Sequence, residues 1–268
     1  VSAPSTIADL APARVAALLR TERFGRSLRV LDVTDSTNDD ARGDALGGAP
    51  DGHVVIADGQ RGGRGSHGRA WASPTGTDLY LSIAARPRVA LSSLPQLTLA
   101  VGLGVAEAVE RVLAPHLRAR TEVKWPNDVW LLGKKCAGIL IEASTTGAEL
   151  GPVVIGIGLN VNRLHWADEL VPIATSLRAA RADQAELDRA EVLCALLFAV
   201  EAWVDRFALH GGAAVSAALD ARLAMRGRRV RCGDAEGTLL GVAASGAIRI
   251  ATDGGPRELI AGRLEACP

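Results

Sequence analysis

The stretch Val129-Trp-Leu-Leu-Gly133-Lys-Lys-Cys136-Ala-Gly-Ile-Leu-Ile-Glu-Ala143, resumed after a turn near Gly147 by Val153-Val-Ile-Gly-Ile-Gly-Leu-Asn-Val161, decides the fold class. Short runs rich in β-branched residues, punctuated by glycine, read as strands: Val129 to Leu132, Cys136 to Ala143 and Val153 to Val161. Such hairpin-like pieces imply a mixed, largely antiparallel sheet, and the helical segments around them imply helices packed against it, an α+β class. Within the last strand, Gly156-x-Gly158 removes two side chains, which suits either a bulge or a flat ligand close to the backbone.

Immediately upstream, Glu122-Val-Lys124-Trp125-Pro126-Asn127-Asp128 places a lysine, a tryptophan and two polar residues around a proline, an unusual cluster between buried strands. Before it, a helix is expected from about Ser93 to Leu113, ended by Pro115. Its Leu94, Leu97, Val101, Val105, Ala108 and Val112 recur at helical spacing and mark a core face. Leu79 to Ile83, with apolar residues alternating with polar ones, and Val54 to Ala57, uniformly apolar, read as strands.

Between those two strands runs Asp58-Gly-Gln60-Arg-Gly-Gly-Arg64-Gly-Ser66-His-Gly-Arg69-Ala-Trp71-Ala-Ser-Pro74. Its glycines at 59, 62, 63, 65 and 68 let backbone N–H groups turn toward one point, and Arg61, Arg64 and Arg69 add positive charge, a composition suited to an anion. Gly63-x-Gly65-x-x-Gly68 satisfies the dinucleotide fingerprint. A Rossmann turn would open a helix there, however, and Trp71, Ser73 and Pro74 argue against one.

Further toward the N-terminus, residues 12 to 20 fit a short helix with proline in its first turn, and Leu28 to Val33 fit a strand. Asp35-Ser36-Thr37-Asn38-Asp39 then opens a helix reaching Leu46 and closed by Gly47-Gly48. Ser36 with Asp39 has the shape of a capping box. Thr37 and Asn38 stay free to offer a hydroxyl and an amide to a neutral polar head, such as a urea or amide, since both groups donate and accept.

Downstream, periodicity fades from Arg163 to Asp183, a second loop that carries Trp166. Glu186 to Leu209 is an amphipathic helix, and a shorter one extends to about Arg222. Arg228 to Cys232, Gly237 to Ala243, Ala247 to Thr252 and Pro256 to Ala261 have the texture of a small barrel of four or five strands. So few residues form a weak core alone, so it is expected to pack on the main domain.

The 268 residues allow one large domain with a smaller attachment, and 30 basic side chains balance 30 acidic ones, so net charge draws the chain to neither nucleic acid nor membrane. Cys136, Cys194, Cys232 and Cys267 show no Cys-x-x-Cys spacing, as in a reduced cytoplasmic protein. The longest apolar stretch, Leu97 to Val109, falls short of the roughly 20 residues of a spanning helix. No signal peptide is evident, and about 27 residues before the first strand are too few for a helix-turn-helix domain, so neither membrane nor DNA is expected as a partner.

Three separated motifs resemble those of the biotin protein ligases. They are Asp35-Ser36-Thr37-Asn38; the Gln60 to Trp71 loop with Gly63-Arg64-Gly65 and Gly68-Arg69; and Lys124-Trp125-Pro126-Asn127-Asp128, followed by Lys135-x-Ala137-Gly138-Ile139-Leu140-x-Glu142 and Gly156-x-Gly158-x-Asn160-Val161. The resemblance covers about residues 28 to 265. It implies a catalytic domain like that of class II aminoacyl-tRNA synthetases over 28–223 and an SH3-like barrel over 224–268; the helix near the start makes 1–27 a helical appendage, and a monomer and a homodimer both stay open.

The reaction it implies joins biotin to ATP, with magnesium, to give biotinyl-5'-AMP. The acyl group then passes to one lysine of a biotin carboxyl carrier protein of acetyl-CoA carboxylase or a related carboxylase. By the same resemblance Lys124 and Arg64 bridge carboxylate and phosphate, and Asp128 orients a lysine or binds the metal. Ser36, Thr37, Asn38 and Gln60 surround the ureido ring, Gly65 and Ser66 wrap the acyl chain, and Gly156 and Gly158 let biotin approach. Arg69, Trp71, Asn127, Lys135, Asn160 and Trp166 fall on the adenylate side.

The family loop often carries arginine or lysine where this chain has Ser66, so faster release of the adenylate is expected unless Arg61, His67 or Arg69 compensates. The alternatives are a lipoate or octanoate ligase on a related fold and a biotin-binding sensor without acyl transfer.

Overall fold

The computed structural model describes residues 7–113, 121–146 and 149–267. A seven-stranded sheet in the order β1-β2-β3-β7-β6-β5-β4 forms its centre. The strands are β1 Leu28–Thr34, β2 His53–Gln60, β3 Leu79–Ala85, β4 Thr121–Lys124, β5 Asp128–Leu131, β6 Lys134–Thr146 and β7 Glu149–Leu159. Only the β1–β2 pair is parallel, as its crossover helix α2, Thr37–Leu46, requires; every other pair in this sheet is antiparallel. The hairpins expected from Val129 onward are present. The turn expected near Gly147 and the stop at Pro115 lie outside the described residues.

Alternation along the strands separates two faces. Leu79, Leu81, Ile83, Ile155, Ile157 and Ile139 join the large core under α3, Leu94–Val112, and α5, Arg189–Leu219. Val55 and Val154 pack instead with Ala41 of α2. The strand expected over Leu79 to Ile83 is present, and despite its alternating polarity β3 is buried throughout, including Tyr80 and Ser82, because it lies inside the sheet with α2 over its second face. Helix α1, Pro12–Leu18, begins on its proline as expected, and α4, Leu177–Ala180, is a single turn capped by Ser176.

The two expected C-terminal helices form one element interrupted at Gly211, whose φ of 68° breaks α5. Beyond it, β8 Arg229–Cys232, β9 Ala235–Val242, β10 Ile248–Thr252, β11 Gly255–Leu259 and β12 Leu264–Ala266 form an antiparallel sheet in the order β11-β10-β9-β8-β12. It docks through the Trp125 indole N–H, which donates to the Gly246 carbonyl at 3.0 Å, and through Gln96 Nε2, which donates to the Ala244 carbonyl at 3.1 Å. No helix among the described residues is long and apolar enough to cross a membrane.

Candidate active site

The α2 face of the central strands carries a slot, and rows of paired residues set its floor. Tyr80 of β3 stands opposite Gly158 of β7, which stands opposite Gly138 of β6; the next row is Ser82, Gly156 and Leu140. The glycines are places of close approach: a Cβ at Gly158 would lie 2.4 Å from Trp71 Cε2, and one at Gly156 would lie 2.2 Å from Asn38 Oδ1. The space the glycines clear is held here by the protein's own Trp71 and Asn38. That is why the slot measures only about 40 Å³, well below the roughly 300–1,000 Å³ of ligand pockets.

One end of the slot is polar. Ser36, Thr37 and Asn38, all buried, stand at the start of α2. The expected capping box is corrected: Ser36 makes no side-chain cap bond, and Gln60 Oε1 takes its place by accepting from Thr37 N at 3.0 Å and lying 3.2 Å from Thr37 Oγ1. Gln60 Nε2 donates to Ser73 Oγ at 3.0 Å, so the glutamine is oriented at both ends. Asp39, freed from capping, accepts from Arg64 at 2.6 and 2.8 Å and from Arg42 at 3.0 Å. Arg64, followed by Arg42, holds that carboxyl below its ordinary value, and Asp39 and Glu142 in turn raise the Arg64 guanidinium.

The slot opens past Trp71 into a cleft of about 480 Å³, a size typical of small-molecule sites. Lys124, Arg69, Asp128, Asn160 and Trp166 line the cleft; Arg64, Ser36, Thr37, Asn38, Gln60, Gly156 and Gly158 line the slot. Gly65, Ser66, Trp71, Asn127 and Lys135 border both. Every residue to which the resemblance gives a biotin, adenylate or catalytic role thus borders one cavity or the other, whereas Arg61 of the glycine loop borders neither. Arg64 lines the slot, Lys124 lines the adjoining cleft, and Lys135 is a cation that borders both.

Local contacts fix this arrangement. Asn127 is pinned to Ile139, donating to its carbonyl at 2.9 Å and accepting from its N–H at 2.9 Å. Lys135 Nζ lies 2.6 Å from Asp128 Oδ1, a charge contact without hydrogen-bond alignment, and 5.0 Å from the centre of the Trp71 ring. Lys124 Nζ sits 5.5 Å over the Trp130 ring. Burial lowers the Lys124 amine from its ordinary value; Asp128 opposes the shift, while Lys135, Arg263 and Arg69 add to it. Asn160 donates to the Thr175 carbonyl at 3.0 Å, joining the strand end to the second loop.

Sequence reading assigned no role to several groups that the structure places at the site. Arg163 pairs with buried Asp78, donates to the Ala72 carbonyl at 2.9 Å and lies 4.7 Å over Trp166, so it ties the two loops together. Ser82 and Glu142 both bond Asn38. A serine inside an apolar strand and a glutamate at the end of Gly138 to Ile141 were the available signals. No three His, Cys, Asp or Glu side chains converge to hold a metal among the described residues. Asp128 lies against Lys135, the contact a lysine-orienting carboxylate would make.

A slot with hydroxyl and amide groups at one end, joined to a cation-lined cleft beside a mixed sheet, is suited to a small molecule with a polar head next to an anionic one. Residues 30–160 match the biotin/lipoate A/B protein ligase family. The bifunctional ligase/repressor BirA of Bacillus subtilis (strain 168) is 35% identical over 254 residues, covering 92% of this chain and 76% of that protein. The biotin–[acetyl-CoA-carboxylase] ligase of Paracoccus denitrificans is 34% identical over 82% of this chain and 92% of its own. Among solved structures, the biotin protein ligase from Aquifex aeolicus in complex with biotin and ATP superposes with a TM-score of 0.77 at 29% identity, covering 90% of this chain and all of that one. The chain belongs to the biotin protein ligase family.

Proposed function

We propose that the protein activates biotin with MgATP and transfers it to a lysine of a carrier domain such as that of acetyl-CoA carboxylase. One observation carries this reading: a polar-ended slot and a larger cleft meet at Lys135, Trp71 and Asn127, with Arg64 on one side and Lys124 on the other. An acid lying in the slot with its neutral head at Ser36, Thr37 and Asn38 directs its carboxylate to that junction. A nucleotide in the cleft brings its α-phosphate to the same place.

Two anions repel in a site partly closed to water, so the cations lower the barrier by neutralising charge while the walls align the attack. A biotin carboxylate oxygen attacks the α-phosphorus, the bond to pyrophosphate breaks, and the mixed anhydride biotinyl-5'-AMP forms. The neutral amine of the acceptor lysine then attacks the acyl carbon, AMP leaves with the bonding pair, and the amine gives up a proton. The magnesium ion belongs to the nucleotide substrate in this reading. Entry of the bicyclic acid moves Trp71 off Gly138 and Gly158, where its ring now lies.

The working units proposed are 28–223 for activation and 224–268 as a second wall, since Gly262 to Ala266 border the cleft. Biotin-dependent exchange of labelled pyrophosphate into ATP, followed by a streptavidin blot of a carrier domain, tests the whole scheme. Exchange with lipoate or octanoate in place of biotin would move the protein to the other branch of its family. Biotin binding without any exchange would make it a sensor.

A further inference from the structure

Neither Ser82 nor Glu142 borders the slot, yet both hold a residue that does. The Asn38 side chain spans the row formed by Ser82, Gly156 and Leu140. Its Oδ1 accepts from Ser82 Oγ at 2.6 Å, and its Nδ2 donates to Glu142 Oε2 at 2.8 Å and to the Leu140 carbonyl at 3.5 Å. Gly156 supplies the bare floor on which the amide rests.

These partners fix which way the amide faces. A carboxylate and a carbonyl only accept, so the amide nitrogen must face Glu142 and Leu140, and the amide oxygen must face Ser82. Turned over, the amide would set oxygen against oxygen at Glu142. Ser82 has one hydroxyl proton, and Asn38 Oδ1 can take it but return none. Thr37 Oγ1, 2.8 Å from Ser82 Oγ, then supplies the proton that the serine oxygen accepts. Gln60 Oε1 is already served by the Thr37 backbone N–H. The chain of donors therefore runs from Thr37 to Ser82 to Asn38 to Glu142, and both Thr37 Oγ1 and Asn38 Oδ1 keep lone pairs. Such an acceptor wall fits the two N–H groups of a cyclic urea.

We propose that Ser82 and Glu142 are positioning residues that set the hydrogen-bond polarity of Thr37 and Asn38, and so the preference for a head group that donates. The proposal rests on the biotin reading of the slot. Glu142 also takes Arg42 at 2.8 Å and lies 3.4 Å from Arg64, whose main partner is Asp39. A change at Glu142 therefore loosens Asn38 more than it loosens Arg64.

The test is pyrophosphate exchange by wild type, Ser82→Ala and Glu142→Gln, with KM for biotin, KM for ATP and kcat measured beside thermal melts. Loss of one neutral hydrogen bond predicts a rise in biotin KM of roughly 5- to 10-fold in Ser82→Ala, with ATP KM and kcat within about twofold. Glu142→Gln, at a half-exposed site that tolerates the change should buried Ser82 not, predicts a smaller rise, about threefold. Unchanged biotin KM in the folded variants overturns the proposal, as do equal rises in both KM values that track a lower Tm. Wild type that shows no biotin-dependent exchange overturns the functional reading and this proposal together.

Discussion

Lys124 couples charge to chemistry at a measurable cost. Its folded pKa lies below that of an exposed lysine, chiefly through burial, so between the two values the unfolded chain binds more protons and stability rises with pH. The charged amine is thus a net burden on the fold at neutral pH. Lys124→Met is expected to melt no lower than wild type while slowing adenylation by about 10²-fold or more, as loss of one electrostatic stabiliser does elsewhere. A parallel loss of Tm and activity would contradict that. In wild type the same depression brings the alkaline fall in adenylation to lower pH than an ordinary lysine would, and Lys124→Arg should carry that limb upward in a pH–rate profile. A second expectation concerns the cation absent at Ser66. Arg69 folds back on that residue, 3.3 Å from its carbonyl and 3.2 Å from its Oγ, and so supplies a guanidinium near the vacated position. Arg69→Ala should therefore speed adenylate dissociation more than Ser66→Arg slows it; the reverse order in a stopped-flow chase would show that Arg69 does not compensate. Ser36, Lys124 and Arg64 were legible because polar clusters interrupt apolar runs there. Ser82 was not, and Glu142 was legible only as a member of a motif, because their task depends on which residues stand opposite one another across three strands.

At the scale of elements, the periodicities placed the main strands and helices, since a two-residue or 3.6-residue pattern follows from which face is buried. Strand order and the parallel β1–β2 pair arise from contacts between distant segments and leave no local trace. Glycine shows the difference clearly, for two helical glycines identical in sequence terms have opposite surroundings. Gly43 in α2 has open space where a Cβ would go, whereas a Cβ on Gly104 of α3 would lie 2.8 Å from Val200 Cα and 3.0 Å from the Ala199 carbonyl of α5. Gly43→Ala should stabilise by roughly 0.5–1 kcal/mol through helix propensity alone. In Gly104→Ala the same gain is set against overpacking of about 1–3 kcal/mol, because backbone cannot swing aside as a side chain can. Denaturant midpoints should therefore move in opposite directions, and a gain in both would mean that α3 and α5 are not locked at this crossing.

The two sheets act as one molecule at the cleft. Val230, Leu239, Ile248 and Leu264 of the C-terminal sheet belong to the same apolar cluster as Leu97, Val123 and Trp125. Short strands in the sequence foretold a small β unit, but not that its last strand would wall a site whose lysine lies some 140 residues earlier. The link is electrostatic as well as steric. Arg263, paired with Glu265 at 2.9 Å, borders the cleft and helps depress the Lys124 amine. Reversing its charge should act on the two substrates unequally. Arg263→Glu is expected to raise KM for ATP about two- to fivefold, the scale of one solvent-exposed charge interaction, and to leave KM for biotin within about twofold because the slot lies beyond Trp71. A negative group at position 263 also relieves the repulsion on Lys124, so the alkaline limb of adenylation should move to higher pH although the titrating lysine is untouched. Because Arg263 is largely exposed, added salt should weaken both effects, while burial keeps Lys124 itself shifted. A limb that stays in place while KM for ATP rises would mean that the C-terminal sheet meets the nucleotide but does not tune the lysine.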